Sequence, residues 1–373
     1  MMFEEPIHVT RPFLPSFDEF TGRLKEIWAS RWLTNNGPMV RRFAAALSDK
    51  LGTENLALFS NGTLALQIGL QALNVAGEVI TTPFTFVATT HSLYWNRIRP
   101  VFVDIEPDYY TIDPDQVEAA ITPWTTAILA VHVYGHPCRL SALADIAKRH
   151  HLKLIYDAAH AFGVEVAGRP VSEYGDMSMF SFHATKLLHS LEGGLLVFRE
   201  PMVKDTVNYL KNFGFQSEVE VVMPGTNAKM NEVQALMGEM VLAHLPEIIA
   251  ARGAITRRYR ENLHGVPGIT LVPPFPEKVT YNYSYVPVEI DTKEYGVGRD
   301  ELYDRLKRYN VFARRYFYPL VCDFACYRST PINNPLVVAR RVADRILCLP
   351  IYADLALSDV DRICEMIAEI PRG

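Results

Sequence analysis

Lys186 closes the stretch Ser181-Phe182-His183-Ala184-Thr185-Lys186, with no acidic residue within five positions on either side. Desolvation penalises the ammonium form, so a lysine in such company can lose its charge. The neutral amine is a nucleophile able to form a Schiff base with an aldehyde or ketone. Asp157 follows Leu154-Ile155-Tyr156 and precedes Ala158-Ala159-His160. A carboxylate at the end of a buried strand is costly without a partner, and a protonated ring nitrogen is one such partner. Ser60-Asn61-Gly62-Thr63 joins a strand to a helix start, where unpaired N–H groups and the helix dipole favour anions. Gly62 lets the backbone approach a phosphate closely. Phe86, after Thr81-Thr82-Pro83-Phe84-Thr85, offers a face to a planar ring. Taken singly, each has a plainer reading: a surface lysine, a helix N-cap, a turn capped by Asn61 or Thr63, a core aromatic.

The elements around these residues put them on one edge of a sheet. From Leu56 the chain alternates short apolar runs with helical spacing: strands at Leu56–Phe59, 78–82, 100–103, 126–132, 153–156 and 195–198, with helices between most of them. Met177–Phe182 adds a short buried strand, and 213–225 reads as irregular. Such alternation predicts a mainly parallel sheet sandwiched by helices, with ligands beyond the carboxyl ends of the strands. Ser60–Thr63, Asp157 and Ser181–Lys186 each follow an apolar strand. A helix over 17–31 carries Phe17, Phe20, Leu24, Ile27 and Trp28 on one face. The division is expected near Leu245-Pro246: residues 1–245 form a large α/β domain with an N-terminal arm, and 246–373 a smaller α+β domain in which 283–290 alternates like a strand.

Composition narrows the classes. The 373 residues are 49 % hydrophobic and 21 % charged, as in a globular chain with a sizeable core. A net charge of −5 argues against a protein that coats nucleic acid. The first eleven residues lack an apolar signal region, and no apolar run is long enough to span a membrane. Five cysteines without metal-like spacing predict reduced thiols in a cytoplasmic protein and no metal site.

Phosphate anchor, ring stacker, buried carboxylate and Schiff-base lysine together are the parts a pyridoxal-phosphate enzyme needs. The chain resembles the DegT/DnrJ/EryC1/StrS family of nucleotide-sugar aminotransferases, which have the type I fold of pyridoxal-phosphate enzymes. The resemblance runs from Trp32-Leu33-Thr34-Asn35-Asn36-Gly37-Pro38 through Asp157-Ala158-Ala159-His160-Ala161, Glu192-Gly193-Gly194 and Asn227-Ala228-Lys229-Met230-Asn231-Glu232. It implies that Lys186 holds the cofactor and moves protons, and that Asp157 pairs with the pyridine nitrogen. It implies further that Gly62, Thr63 and Ser181 bind the phosphate, Phe86 stacks, and His160 lies near the ring. Asn227 is implied to reach the phosphate of a neighbouring subunit, making a homodimer with shared sites, with Lys229 as a further contact. The implied reaction is ping-pong transfer of an amino group from L-glutamate to a nucleotide-linked keto sugar. The His-Ala-Thr-Lys form resembles members that aminate C4 of a 4-keto-6-deoxy sugar, which favours dTDP-4-dehydro-6-deoxy-D-glucose as acceptor in O-antigen or amino-sugar biosynthesis. C3 amination, a UDP or GDP sugar, a sugar dehydratase and a non-catalytic regulator are the alternatives. Arg314, Arg315 and Tyr316 depart from the family's His-Tyr-x-Pro pattern; the arginines can bind a diphosphate or be solvated.

Overall fold

Seven strands build one sheet: β1 Leu56–Phe59, β2 Glu78–Thr81, β3 Arg99–Phe102, β4 Thr125–Val131, β5 Lys153–Asp157, β6 Met177–Ser181 and β7 Gly194–Phe198. The computed structural model describes residues 2–276 and 278–370; residues 1, 277 and 371–373 of the two expected domains lie outside it. The strand order is β1-β7-β6-β5-β4-β2-β3. β6, β5, β4, β2 and β3 pair in parallel, and β7 runs antiparallel to both β1 and β6. The fold is thus α/β with a mostly parallel central sheet, as the strand–helix alternation predicts.

Side chains alternate between the two faces of each strand, and both faces are apolar. Val79, Leu129, Ile155 and Leu196 meet Leu66 and Leu70 of helix Gly62–Ala72. On the other face Ile80, Ile128 and Leu154 meet Leu140, Leu143 and Ile146 of helix Leu140–Arg149. Leu58, Phe180 and Leu195 meet Phe43 and Leu47 of helix Pro38–Leu51 and Leu236 and Met240 of helix Glu232–Ala243. Burial on both faces explains why these strands read as continuous apolar runs.

Helix Leu245–Leu263 links this core to the C-terminal one. Its Leu245 and Ile248 pack with β6 and β7, whereas Ile255, Tyr259 and Leu263 pack with a three-stranded antiparallel sheet. That sheet has Val286–Ile290 between Ile269–Leu271 and Ile346–Leu349. The N-terminal arm, expected with residues 1–245, lies instead on the C-terminal core: Ile7–His8 pairs in parallel with Val311–Phe312, and Phe3 and Ile7 are buried there. Helix Phe17–Ser30 also departs from its expected face: Ile27 is buried, Phe20 and Leu24 are half-buried, and Phe17 and Trp28 stand in solvent.

Candidate active site

The lysine turn begins where β6 ends. Phe182 N–H donates to the Gly193 carbonyl (2.8 Å), Ser190 N–H to the Phe182 carbonyl (2.9 Å), and Lys186 N–H to the His183 carbonyl (2.8 Å). Leu187 and Leu188 are buried behind it, and the Lys186 side chain is half-buried. Its Nζ makes no hydrogen bond or ion pair among the described residues. Burial lowers its pKa from 10.5 to about 8, and the charge of Asp157 only partly offsets this.

Asp157 is the last residue of β5 and is buried. Thr89 Oγ1 donates to its Oδ2 (2.7 Å), and Ala159 N–H donates to its Oδ1 (3.1 Å). Burial raises its pKa; these two donors and the lysine charge oppose that shift without reversing it. Thr89 was not singled out by the sequence. It stands one turn into helix Val87–Trp95, whose N-cap is Phe86, and its Oγ1 also meets Thr85 Oγ1 at 2.8 Å. Phe86 itself is 58 % exposed, leaving much of its ring open.

His160 is buried, and its Nδ1 accepts the Tyr134 backbone N–H at 3.0 Å. An accepting Nδ1 carries no hydrogen, so the proton of the neutral ring sits on Nε2. Burial, and then the Lys186 charge, push its pKa well below the usual histidine range. His160, Ser181, Lys186, Asn282, Ser284 and Tyr285 line one narrow cavity.

The expected anion site lies where β1 meets helix Gly62–Ala72. Asn61 caps the helix by accepting the Leu64 N–H (2.9 Å), while the N–H groups of Gly62 and Thr63 have no partner among the described residues. A Cβ on Gly62 would lie 3.1 Å from Met179 Sδ and 3.2 Å from Ser181 Cβ. One on Gly194 would lie 2.5 Å from the Asn61 carbonyl oxygen. These glycines let the helix start, the end of β6 and the start of β7 close on one another, which brings Gly62, Thr63 and Ser181 together.

The remaining expected residues separate. Asn227 is exposed and its Oδ1 accepts from Lys229 Nζ at 2.7 Å. Beside Lys229 lies a cavity of about 520 Å³, much roomier than the one at Lys186, lined by Arg41, Lys204, Lys211 and Lys229 along the open edge of β1. It has neither Lys186 nor Asp157 in its walls, so size does not mark the chemistry here. Tyr316 reaches the site through Tyr285, whose ring lies 5.9 Å from it and 4.8 Å from that of His160. Arg314 is exposed. Arg315 is not brought to the site: its guanidinium pairs with Asp300 at 2.8 Å and lies over the Tyr303 ring. The motif residue Glu232 has a structural task. Buried, it accepts the N–H groups of Met39 (2.7 Å) and Val40 (3.2 Å), capping helix Pro38–Leu51.

Residues 17–368 match the DegT/DnrJ/EryC1/StrS aminotransferase family. The chain is 45 % identical over 367 residues to a dTDP-4-amino-4,6-dideoxy-D-glucose transaminase of Shigella dysenteriae, covering 98 % of this chain and all of that one. It is 44 % identical over 374 residues to an Escherichia coli transaminase of the same name, covering 98 % and 99 %. Among solved structures it resembles DesI, crystallised in the presence of its TDP-sugar product, with TM-score 0.94 and 38 % identity over 100 % of this chain and 95 % of that one. The aminotransferase TlmJ from Streptoalloteichus hindustanus gives TM-score 0.90 and 29 % identity over 97 % and 98 %. The chain belongs to this family, and it is an aminotransferase that depends on pyridoxal phosphate.

The residues fit that cofactor. Asp157 and Lys186 share a desolvated setting yet form no ion pair among the described residues, as two groups on opposite sides of a bound ring require. The unpartnered N–H groups at Gly62 and Thr63 suit a phosphate.

Proposed function

We propose that the protein transfers the amino group of L-glutamate to the C4 ketone of dTDP-4-dehydro-6-deoxy-D-glucose, giving dTDP-4-amino-4,6-dideoxy-D-glucose and 2-oxoglutarate. The names of the two transaminases at 44–45 % identity support the acceptor. The observation that carries the reading is the unpaired, half-buried Lys186 amine beside the buried Asp157. Pyridoxal phosphate supplies an aldehyde for covalent attachment and a ring that takes up electrons from the reacting carbon. Lys186 would hold it covalently, and the same amine, when free, would remove the α-proton of glutamate and later deliver a proton to the sugar carbon. Asp157 keeps a proton on the ring nitrogen, and Thr89 holds that carboxylate in place. Gly62, Thr63 and Ser181 bind the phosphate, Phe86 covers one ring face, and His160 contacts the ring edge. Arg314 and Tyr316 face the sugar nucleotide; Arg315 is left out because Asp300 occupies it.

The active unit is a homodimer in which Asn227 reaches the partner's phosphate and Lys229 its substrate. Support comes from the apolar side chains beside them: Phe213, Phe215, Val219, Val221 and Val222 are all at least 40 % exposed. Residues 1–245 carry the cofactor and 246–373 form the smaller unit, with the arm fastened to the latter. All five cysteines are unpaired, which suits the reducing cytoplasm. Amino-sugar synthesis for O-antigen is the setting that the product suggests. A panel of keto sugars with L-glutamate tests the reaction, varying nucleotide and ketone position and reading product regiochemistry by NMR. Amination at C3, or a preference for UDP or GDP sugars, refutes the stated acceptor.

A further inference from the structure

His160 is held from several directions by residues distant in sequence. Its carbonyl accepts both Asn282 Nδ2 (2.8 Å) and Ser284 Oγ (2.7 Å), and the same Asn282 nitrogen also reaches the Phe162 carbonyl at 2.9 Å. Asn282 is fully buried, and its Oδ1 in turn accepts the Ser284 N–H (3.2 Å). Arg252 Nη1 donates to the Ser284 carbonyl at 3.1 Å. On the ring side, the Tyr134 N–H reaches Nδ1 from a left-handed residue, φ 58°. The turn is kept in place by Tyr281, whose hydroxyl donates to the Tyr134 carbonyl at 2.8 Å. Gly135 completes it at φ 88°: a Cβ there would lie 2.7 Å from Asn282 Oδ1 and 2.9 Å from the His160 carbonyl oxygen. The Phe317 ring lies parallel to the imidazole within 2°, centroids 6.0 Å apart.

The Nε2–H side of the ring makes no hydrogen bond to any described residue, and His160 lines the same cavity as Lys186. We propose that Asn282, Ser284 and the Tyr134–Gly135 turn are positioning residues that lock His160 in its Nε2–H form, making it a fixed hydrogen-bond donor toward the bound cofactor. This rests on the reading of Lys186 and Asp157 given above. The polar and titratable groups packed around the ring are Lys186 from the lysine turn, Tyr134 and His136 from the turn after β4, and Tyr285 from segment 281–285. None is an acid, so nothing in contact favours an imidazolium. A donor fixed in this way does not change its hydrogen-bonding sense across the working pH range. It also makes the C-terminal part of the chain a determinant of the site, through a segment that touches His160 by its main chain as well as its ring.

The test uses the holoenzyme with 15N-labelled histidine. Long-range 1H–15N spectra of wild type should give His160 as a single Nε2–H tautomer that does not titrate between pH 6 and 9. Ser284→Ala and Asn282→Ala should bring in tautomer exchange or titration at His160 and move the pH midpoint of the cofactor absorption band. They should lower kcat about tenfold, a loss of the size seen when an outer hydrogen bond is removed in metal sites, with KM little changed; Ser284→Thr, which keeps the hydroxyl, should restore all three. An Nδ1–H tautomer in wild type overturns the proposal. So does an unchanged His160 spectrum in a folded Ser284→Ala protein, which remains informative if Asn282→Ala does not fold. The imidazole spectrum is independent of where the cofactor attaches, so failure here is distinct from failure of the Lys186 assignment, which peptide mapping decides.

Discussion

The lowered basicity of Lys186 gives a measurable consequence before any cofactor binds. With a pKa of about 8 in place of 10.5, about 9 % of the amine is neutral at pH 7, against about 0.03 % for the unshifted value. That is about 300-fold more nucleophile at the same pH. Trace reductive methylation of the cofactor-free protein with formaldehyde and cyanoborohydride measures it, with each lysine quantified by peptide mass spectrometry against exposed Lys25. Methylation at Lys186 should rise tenfold per pH unit below about 8 and level off above it. Asp157→Asn supplies the sharper half of the test. The carboxylate charge raises the lysine pKa, so removing it should move the plateau to lower pH. Lys211 is the internal control: burial also brings it down to about 8, but its charged neighbours are Lys229 and Lys204. Its profile should not respond to Asp157→Asn. A Lys186 profile still climbing beyond about pH 9.5, or one that moves upward in Asp157→Asn, refutes the electrostatic account.

Other substitutions probe the chemistry and the scaffold. Lys186→Ala should cut amino transfer by at least the hundred- to ten-thousandfold, roughly, associated with a lost general base, with the circular dichroism spectrum retained; borohydride should fix the cofactor to the peptide bearing Lys186 in wild type alone. Glu232→Ala strips the acceptors from two buried N–H groups of helix Pro38–Leu51 and should cost about 3 kcal/mol, seen as a lower urea midpoint; a change below about 0.5 kcal/mol contradicts the capping role. Gly194→Ala drives a Cβ against the Asn61 carbonyl and should weaken cofactor retention measured by dialysis, because Asn61 and Gly62 must shift. Mixing Asn227→Ala with Lys186→Ala protein tests subunit sharing: activity that stays at the sum of the two variants, or a fully active monomer in sedimentation, excludes it.

Where the parts of the candidate site lie was largely legible, because they obey a local rule. Ser60–Thr63, Asp157 and Ser181–Lys186 each end a run of buried side chains, and in a parallel sheet such ends share one edge. What escaped has no local signature. Thr89 aligns Asp157 across 68 positions, and Asn282 grips His160 across 122; a single side chain bonding a distant carboxylate or carbonyl leaves no periodicity. The strand expected from 283 begins only at Val286. Ser284, in the alternating pattern, turns its hydroxyl to the His160 carbonyl and its N–H to Asn282 Oδ1. Likewise the antiparallel direction of β7 is invisible in its composition, since a strand buried on both faces reads alike in either direction. Arg315 looked available for a diphosphate because nothing in sequence reveals that Asp300, fifteen residues earlier, claims it.

The arrangement of Asp157 and Lys186 explains why neither shift runs to completion. Burial alone drives both groups toward their neutral forms, and each charge alone favours the other's ionised form. Were the two in direct contact, the ion pair would dominate and hold the amine protonated, removing the nucleophile. Were they remote, Asp157 would lose the influence of the lysine and keep only Thr89 and Ala159 to favour its charged form. Separation without contact leaves about a tenth of the amine neutral at pH 7 and keeps two donors on the carboxylate, which then needs one cationic partner. In the proposed role of Asp157, a protonated ring nitrogen is that partner. It follows that cofactor binding should release the tension at Asp157 more than at Lys186, so Thr89→Val should weaken affinity for pyridoxal phosphate while leaving the methylation profile of Lys186 in the cofactor-free protein close to wild type. Equal disturbance of both would mean that Thr89 organises the whole cleft and not the acid alone.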